Sequence, residues 1–112
     1  MKKIILLTTL LSSILVGCGE KHDVVSETDQ KAITSYLIKN EPTVKDAAWS
    51  NNSTLKVGVI DNGTNRDGYA QYICEVLSQK GQQGKQVTVK VIDIQKLLNT
   101  NKWVTIGEKH CS

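Results

Sequence analysis

Between Leu55 and Val91 the spacing of apolar residues changes twice, and this limits the folds open to the chain more than any other feature. Leu55, Val57 and Val59 alternate with Lys56, Gly58 and Ile60. A period of two puts one set of side chains on a single face of a strand. Tyr69, Tyr72, Ile73, Val76 and Leu77 then fall at i, i+3, i+4, i+7 and i+8, the stripe of an amphipathic helix. Gly81-Gln82-Gln83-Gly84 ends that helix, and Val87, Val89 and Val91 return to the period of two. Strand, helix and strand in this order predict a right-handed crossover between two parallel strands.

The flanking segments supply the other elements. Ser26-Glu27-Thr28-Asp29 is a variant of the capping box, with a side-chain acceptor followed three residues later by an acid. It opens a helix over 27–39 whose Ala32, Ile33, Tyr36 and Leu37 recur at helical spacing before Asn40-Glu41-Pro42 stops it. The stripe is narrow, so this helix covers a sheet from one side. Val44, Ala47 and Trp49 precede Asn51-Asn52-Ser53, turn residues that make a hairpin with the Leu55 strand. Ile94–Leu98 has room for one or two helical turns, and Lys102–Gly107, with Trp103, Val104 and Ile106, can add an edge strand. The expected fold is α+β: a two-layer sandwich in helix-strand-strand-helix-strand order, with two helices on one face of a three- or four-stranded mixed sheet, in a single domain over 26–112. Because Phe is absent, the core needs other aromatics. Trp49 and Tyr72 are expected inside, and Tyr69 and Trp103 are assigned to neither core nor surface.

The first eighteen residues carry a different message. Met1-Lys2-Lys3 precedes Ile4–Val16, an apolar run of thirteen residues broken only by Thr8, Thr9, Ser12 and Ser13. A spanning helix needs about 20 residues, so the run has the layout of an export signal instead. It ends in Leu15-Val16-Gly17-Cys18, which resembles the lipobox of bacterial lipoproteins at all four positions. The resemblance implies that residues 1–17 are cleaved, that Cys18 carries a diacylglyceryl group, and that 18–25 form a lipidated N-terminus and short tether. The partner so implied is membrane lipid: acyl burial contributes roughly 0.8 kcal/mol per CH₂, and two or three chains hold stably. Gly19 after the Cys, in place of Asp, resembles lipoprotein cargo sent to the outer membrane of enteric-type bacteria. The order of elements further along is similar to small periplasmic BON modules, which associate with envelope surfaces; this likeness carries no functional residue with it.

Export alters both charge and cysteine arithmetic. Fourteen Lys plus Arg face eleven Asp plus Glu, but Lys2 and Lys3 leave with the signal, so the mature balance is twelve against eleven. With no clustered basic stripe, a nucleic-acid surface is set aside. Once Cys18 is lipidated only Cys74 and Cys111 remain, and two thiols in an oxidising compartment read as one disulfide. The rival is a metal site from Cys74, His110 and Cys111, whose adjacent His and Cys lack the usual ligand spacing.

The densest polar segment, Asp61–Gly68, runs from a strand into a helix N-terminus, a place where free N–H groups meet anions or ligands. Turn and capping roles explain most of it: Asn62-Gly63 suits positive φ, Thr64 to Asp67 can cap, and Asp67 favours the helix dipole. Arg66, the only Arg in the chain, has a planar fork that suits a carboxylate or phosphate. Arg66, Asp61, Asn65 and Asp67 are therefore the candidate binding residues. Counted from Asp61, a calcium loop would need an oxygen ligand where Gly63 stands, Gly where Arg66 stands and Glu where Tyr72 stands. The segment does not match. No nucleophile elbow, HExxH, P-loop or dinucleotide fingerprint occurs, so neither catalytic residue nor cofactor is assigned. The expected function is that of a non-enzymatic envelope module binding another protein, the cell wall or a lipid surface. The alternative is a small hydrolase or ligand carrier built on the Asp61–Asp67 loop.

Overall fold

A computed structural model describes the chain from Val24 to Ser112; the signal-like segment, Cys18 and the tether as far as Asp23 lie outside the described residues. Helix α1 spans Glu27–Asn40, and the Ser26 hydroxyl accepts from Asp29 N–H at 3.1 Å, satisfying one of the first-turn donors that have no partner within the helix. The hairpin follows as β1 (Asp46–Asn51) and β2 (Thr54–Val59), then α2 (Asp67–Leu77), an irregular turn at Ser78–Gln82, β3 (Thr88–Asp93), a short α3 (Ile94–Thr100) and β4 (Thr105–His110). Gly81, at φ 89°, breaks the α2 continuation, a conformation that costs a residue without Cβ little.

The four strands lie in the order β1-β2-β3-β4. β1/β2 and β3/β4 are antiparallel, and β2/β3 are parallel across the α2 crossover. Register places Leu55 beside Val89 and Val57 beside Val91, so a single row of β-branched and aliphatic side chains faces the helices. Ile33 and Leu37 of α1 and Ala70, Ile73, Val76 and Leu77 of α2 close over that row, all buried. Burying each larger side chain contributes roughly 1.5–3 kcal/mol. The molecule is a two-layer α+β sandwich, with α1 and α2 on one face of a four-stranded mixed sheet.

Helix α2 is pinned to β4 at two levels. Cys74 and Cys111 are joined by a disulfide with a Cα–Cα distance of 5.3 Å, 37 residues apart in sequence. At the other end of the helix the backbone of Arg66 crosses directly over Gly107, where any Cβ would overlap the Arg66 carbonyl. Arg66 N–H donates to Ile106 O at 2.9 Å, and the Asp67 carboxylate accepts from Glu108 N–H at 2.9 Å. Two outward-facing groups of edge strand β4, Ile106 O and Glu108 N–H, are thus taken by the start of α2.

Helix α3 lies on the opposite face. Gly58 points away from Val57 and Val59, and a Cβ there would stand 2.8 Å from Ile94 Cδ1; the missing side chain lets α3 dock. Asp93, 5% exposed, caps it by accepting from Lys96 N–H, and Asn101 at φ 62° closes it in the left-handed region that Asn tolerates. The chain comes into the domain at the far end. Val25 N–H donates to Asn52 O at 3.1 Å and Lys85 Nζ to Val24 O at 3.3 Å, beside the β1–β2 turn. The starts of α2 and α3 lie at the other end of the sheet.

Two expectations need correction. Tyr72 is 41% exposed, not core: the buried stripe of α2 is rotated toward Ala70 and Cys74, the side held against β4, which leaves Tyr72 outside. The last strand begins at Thr105 and runs to His110, because Trp103 leaves the sheet edge and lies across Lys56. Trp49 packs against the core while partly exposed, its Nε1–H donating to Gln30 O at 3.1 Å.

Two glycine substitutions separate close backbone approach from mere flexibility. Gly107→Ala should cost about 3 kcal/mol or more through overpacking. Gly68→Ala, in the first turn of α2 with nothing within 4 Å of the added carbon, should gain roughly 0.4–1 kcal/mol. Urea unfolding of the full chain measures both.

Candidate functional site

The Asp61–Asp67 loop links the end of β2 to the start of α2, and its polar side chains are largely spent on the loop itself. Asp61 Oδ1 accepts from Gly63 N–H at 2.9 Å, Asn62 Oδ1 from Thr64 N–H at 3.1 Å, and Asn65 Oδ1 from Asp67 N–H at 2.8 Å. These side-chain turns stand in for backbone turns, with Gly63 at φ 84° between the first two. The N-cap position of α2 is Arg66 and makes no side-chain cap bond, so Asn65 and Asp67 do the local work in another way. Arg66 Nη2 donates to Ile60 O at 2.9 Å, tying the loop back to the strand end. Its Nε is buried without an acceptor. Asp61, Asn65, Arg66 and Asp67 are therefore brought to one end of the molecule, and of the four only Asn65 and Asp67 line an open surface depression there, with Thr105 to Glu108.

Beside this loop, aromatic hydroxyls meet an acid. Tyr69 and Tyr72 rings are 5.7 Å apart, and Tyr72 donates to Glu41 Oε2 at 2.7 Å, fastening α2 to the end of α1. The hydrogen bond to Glu41 raises the Tyr72 hydroxyl above its ordinary value. Tyr69 is pushed up to about 12, first by burial and then by the charge of Glu41, with Thr43 and Arg66 acting the other way. The neutral phenol is the form this corner favours.

The third feature lies on the open face of the sheet. Ala48, Gly58, Ile92, Ile94, Leu97 and Trp103 line a shallow open depression between the strands and α3, with the charged Asp46 and Lys56 also on its wall. Trp103 is 55% exposed and Leu98, on the outer side of α3, 75%. Lys56 Nζ stands 4.5 Å from the centre of the Trp103 ring, a distance suited to cation–π attraction. Register sets Ala48, Lys56, Lys90 and Glu108 side by side across the four strands. None of the four candidates read from the sequence lines this groove. Its one visible trace there is Val91-Ile92-Asp93-Ile94, where apolar residues of both parities mark a strand covered on both faces.

Comparison with family models, curated proteins and solved structures gives no match for this chain. Fold and surface together define a disulfide-closed α+β module with an exposed apolar groove.

Raised phenol values couple the Tyr69–Glu41 corner to pH. The folded state holds the Tyr69 proton more tightly than an unfolded tyrosine, which ionises near 10.0. Its contribution to stability is complete below pH 10 and is lost as pH rises toward about 12. Denaturant midpoints measured across that range should fall steeply in the native chain. In Tyr69→Phe only the shallower decline from Tyr72 should remain.

Proposed function

We propose that the chain is a lipoprotein of the bacterial envelope, anchored in membrane lipid through Cys18, whose domain is a non-enzymatic binding module. The anchor half rests on Leu15-Val16-Gly17-Cys18, with the short distance from Cys18 to Val24 keeping the domain near its membrane. Six residues reach roughly 20 Å when extended. The Cys74–Cys111 disulfide suits an oxidising space outside the cytoplasm. Gly19 after the Cys favours the outer membrane as the destination.

The binding half is carried by one observation: the groove on the open sheet face is apolar, shallow and left uncovered, with an exposed tryptophan on its rim. Exposed apolar surface marks places where a protein meets partners, membranes or ligands. The carboxylates and amide of Asp61, Asn65 and Asp67, which a hydrolase or carrier would aim at a ligand, are instead bonded to their own loop and to β4.

Metabolic labelling with a clickable fatty acid tests the anchor. The native chain should take up label and fractionate with membranes, and Cys18→Ser should do neither. Label retained by Cys18→Ser would sink the assignment of Cys18.

A further inference from the structure

We propose that the open face of the sheet, with α3 and the turn after it, lies on the bilayer as an interfacial surface for anionic lipid headgroups. Among the described residues the two most exposed large apolar side chains are Leu98, 75% exposed, and Trp103, 55% exposed. Both fall within Ile94–Gly107, a stretch that carries Lys96 and Lys102 and no acid. Leucine and tryptophan beside lysines are side chains that settle at the boundary between headgroups and acyl chains. The sheet beneath has the same sign. Lys56 and Lys90 are neighbours in register, against Asp46 on the groove wall and Glu108 beside Lys90, while Asp93 is buried as the cap of α3. On the opposite layer α1 and α2 hold Glu27, Asp29, Asp67 and Glu75 against Lys31 and Lys39. Lys80 and Lys109 alongside bring that layer only to balance. The excess of positive charge and the exposed apolar pair therefore share one face.

The length of chain before the domain, and the point where it joins, bring lipid within range of this face; here the proposal rests on the anchor reading. Val25 N–H donates to Asn52 O and Lys85 Nζ to Val24 O, so the tether joins beside the β1–β2 turn. Lys56 stands two residues along β2 from Thr54, and Trp103 lies over it. The indole is thus roughly 7 Å from that end of the sheet. A tether from Cys18 to Val24 reaches roughly 20 Å when extended, enough for the sandwich to lie down on either layer. Surface chemistry then selects the layer. A headgroup contact too weak to hold a free protein suffices here, because the acyl anchor makes the second contact intramolecular, and lysines close to an anionic surface add attraction.

The test uses the chain expressed from its full sequence, isotope-labelled and placed in nanodiscs of phosphatidylethanolamine and phosphatidylglycerol, with some headgroups carrying a nitroxide. NMR signals from the Lys96, Leu98 and Lys102 amides and the Trp103 indole should be lost to broadening, and those of Ser35 on α1 and Gln71 on α2 should remain. Replacing phosphatidylglycerol with phosphatidylcholine should restore the lost signals. Lys96→Glu combined with Lys102→Glu should restore them as well, whereas the paired Arg substitutions should not. Broadening that is equal on the two layers, or unchanged when the lipid charge is removed, overturns the proposal. Signals that survive throughout α3 overturn it and leave the face to a protein partner. Shifts there that grow with the number of chains per disc, without broadening from the nitroxide, overturn it in favour of a second copy. Intact mass reads acylation separately. An unacylated chain whose α3 signals are lost keeps the face and loses the anchor; an acylated chain with even broadening keeps the anchor and loses the face.

Discussion

Helix α2 is held to the edge strand β4 at both ends of their contact, and much of the fold's geometry follows from that double attachment. At the start of the helix, Gly107 lets the Arg66 backbone come closer than a side chain would permit. Further along, Cys74 is bonded to Cys111. The covalent link closes 37 residues, which in the chain-entropy account disfavours the unfolded state by about 4 kcal/mol. Between the two attachments the helix has no freedom to roll, so Ala70, Ile73, Cys74 and Leu77 must face inward. Tyr72 is then turned outward to Glu41, and the last turn of α1 gains an anchor on α2.

The same sheet is treated differently on its two sides. One side is sealed by two helices with aliphatic residues in register beneath them. The other receives only the seven residues of α3, admitted at Gly58 and stopped at Asn101. A helix that short covers one end of the face and leaves its flank open, which is why the groove exists and why Trp103 lies at its rim. Conformational economy produces the surface as much as any selection for binding: the chain after β3 must turn back within twelve residues to form β4.

Legibility in the sequence tracked how local each cause was. Alternating Leu55-Val57-Val59 and Val87-Val89-Val91, the helical stripe between them, the Ser26 cap and the glycines after α2 all act within a few residues, and each element formed where its pattern lay. The pairing of Cys74 with Cys111 was legible by subtraction once Cys18 was set apart. The need for glycine at 107 was not, because its reason is a backbone 41 positions earlier. Tyr72 fits an ideal helical stripe, and only the tertiary pull of β4 rotates it out. The polar loop announced turns correctly through Asn62-Gly63, but gave no sign that Asp67 would bond Glu108 N–H. The groove draws on β1, β2, β3, α3 and the following loop, so no single segment signalled it.

The bonds between α2 and β4 have one more outcome. Ile106 O and Glu108 N–H are the groups that a strand arriving from outside would seek, and they are already taken by Arg66 N–H and the Asp67 carboxylate. On the other outer strand, β1, the Asp46 carboxylate accepts from Ala47 N–H at 2.9 Å. Covering an edge with another element is one way sheets avoid edge-to-edge association, and the start of α2 does this for part of β4. At β4 an incoming chain must first displace a charged acceptor.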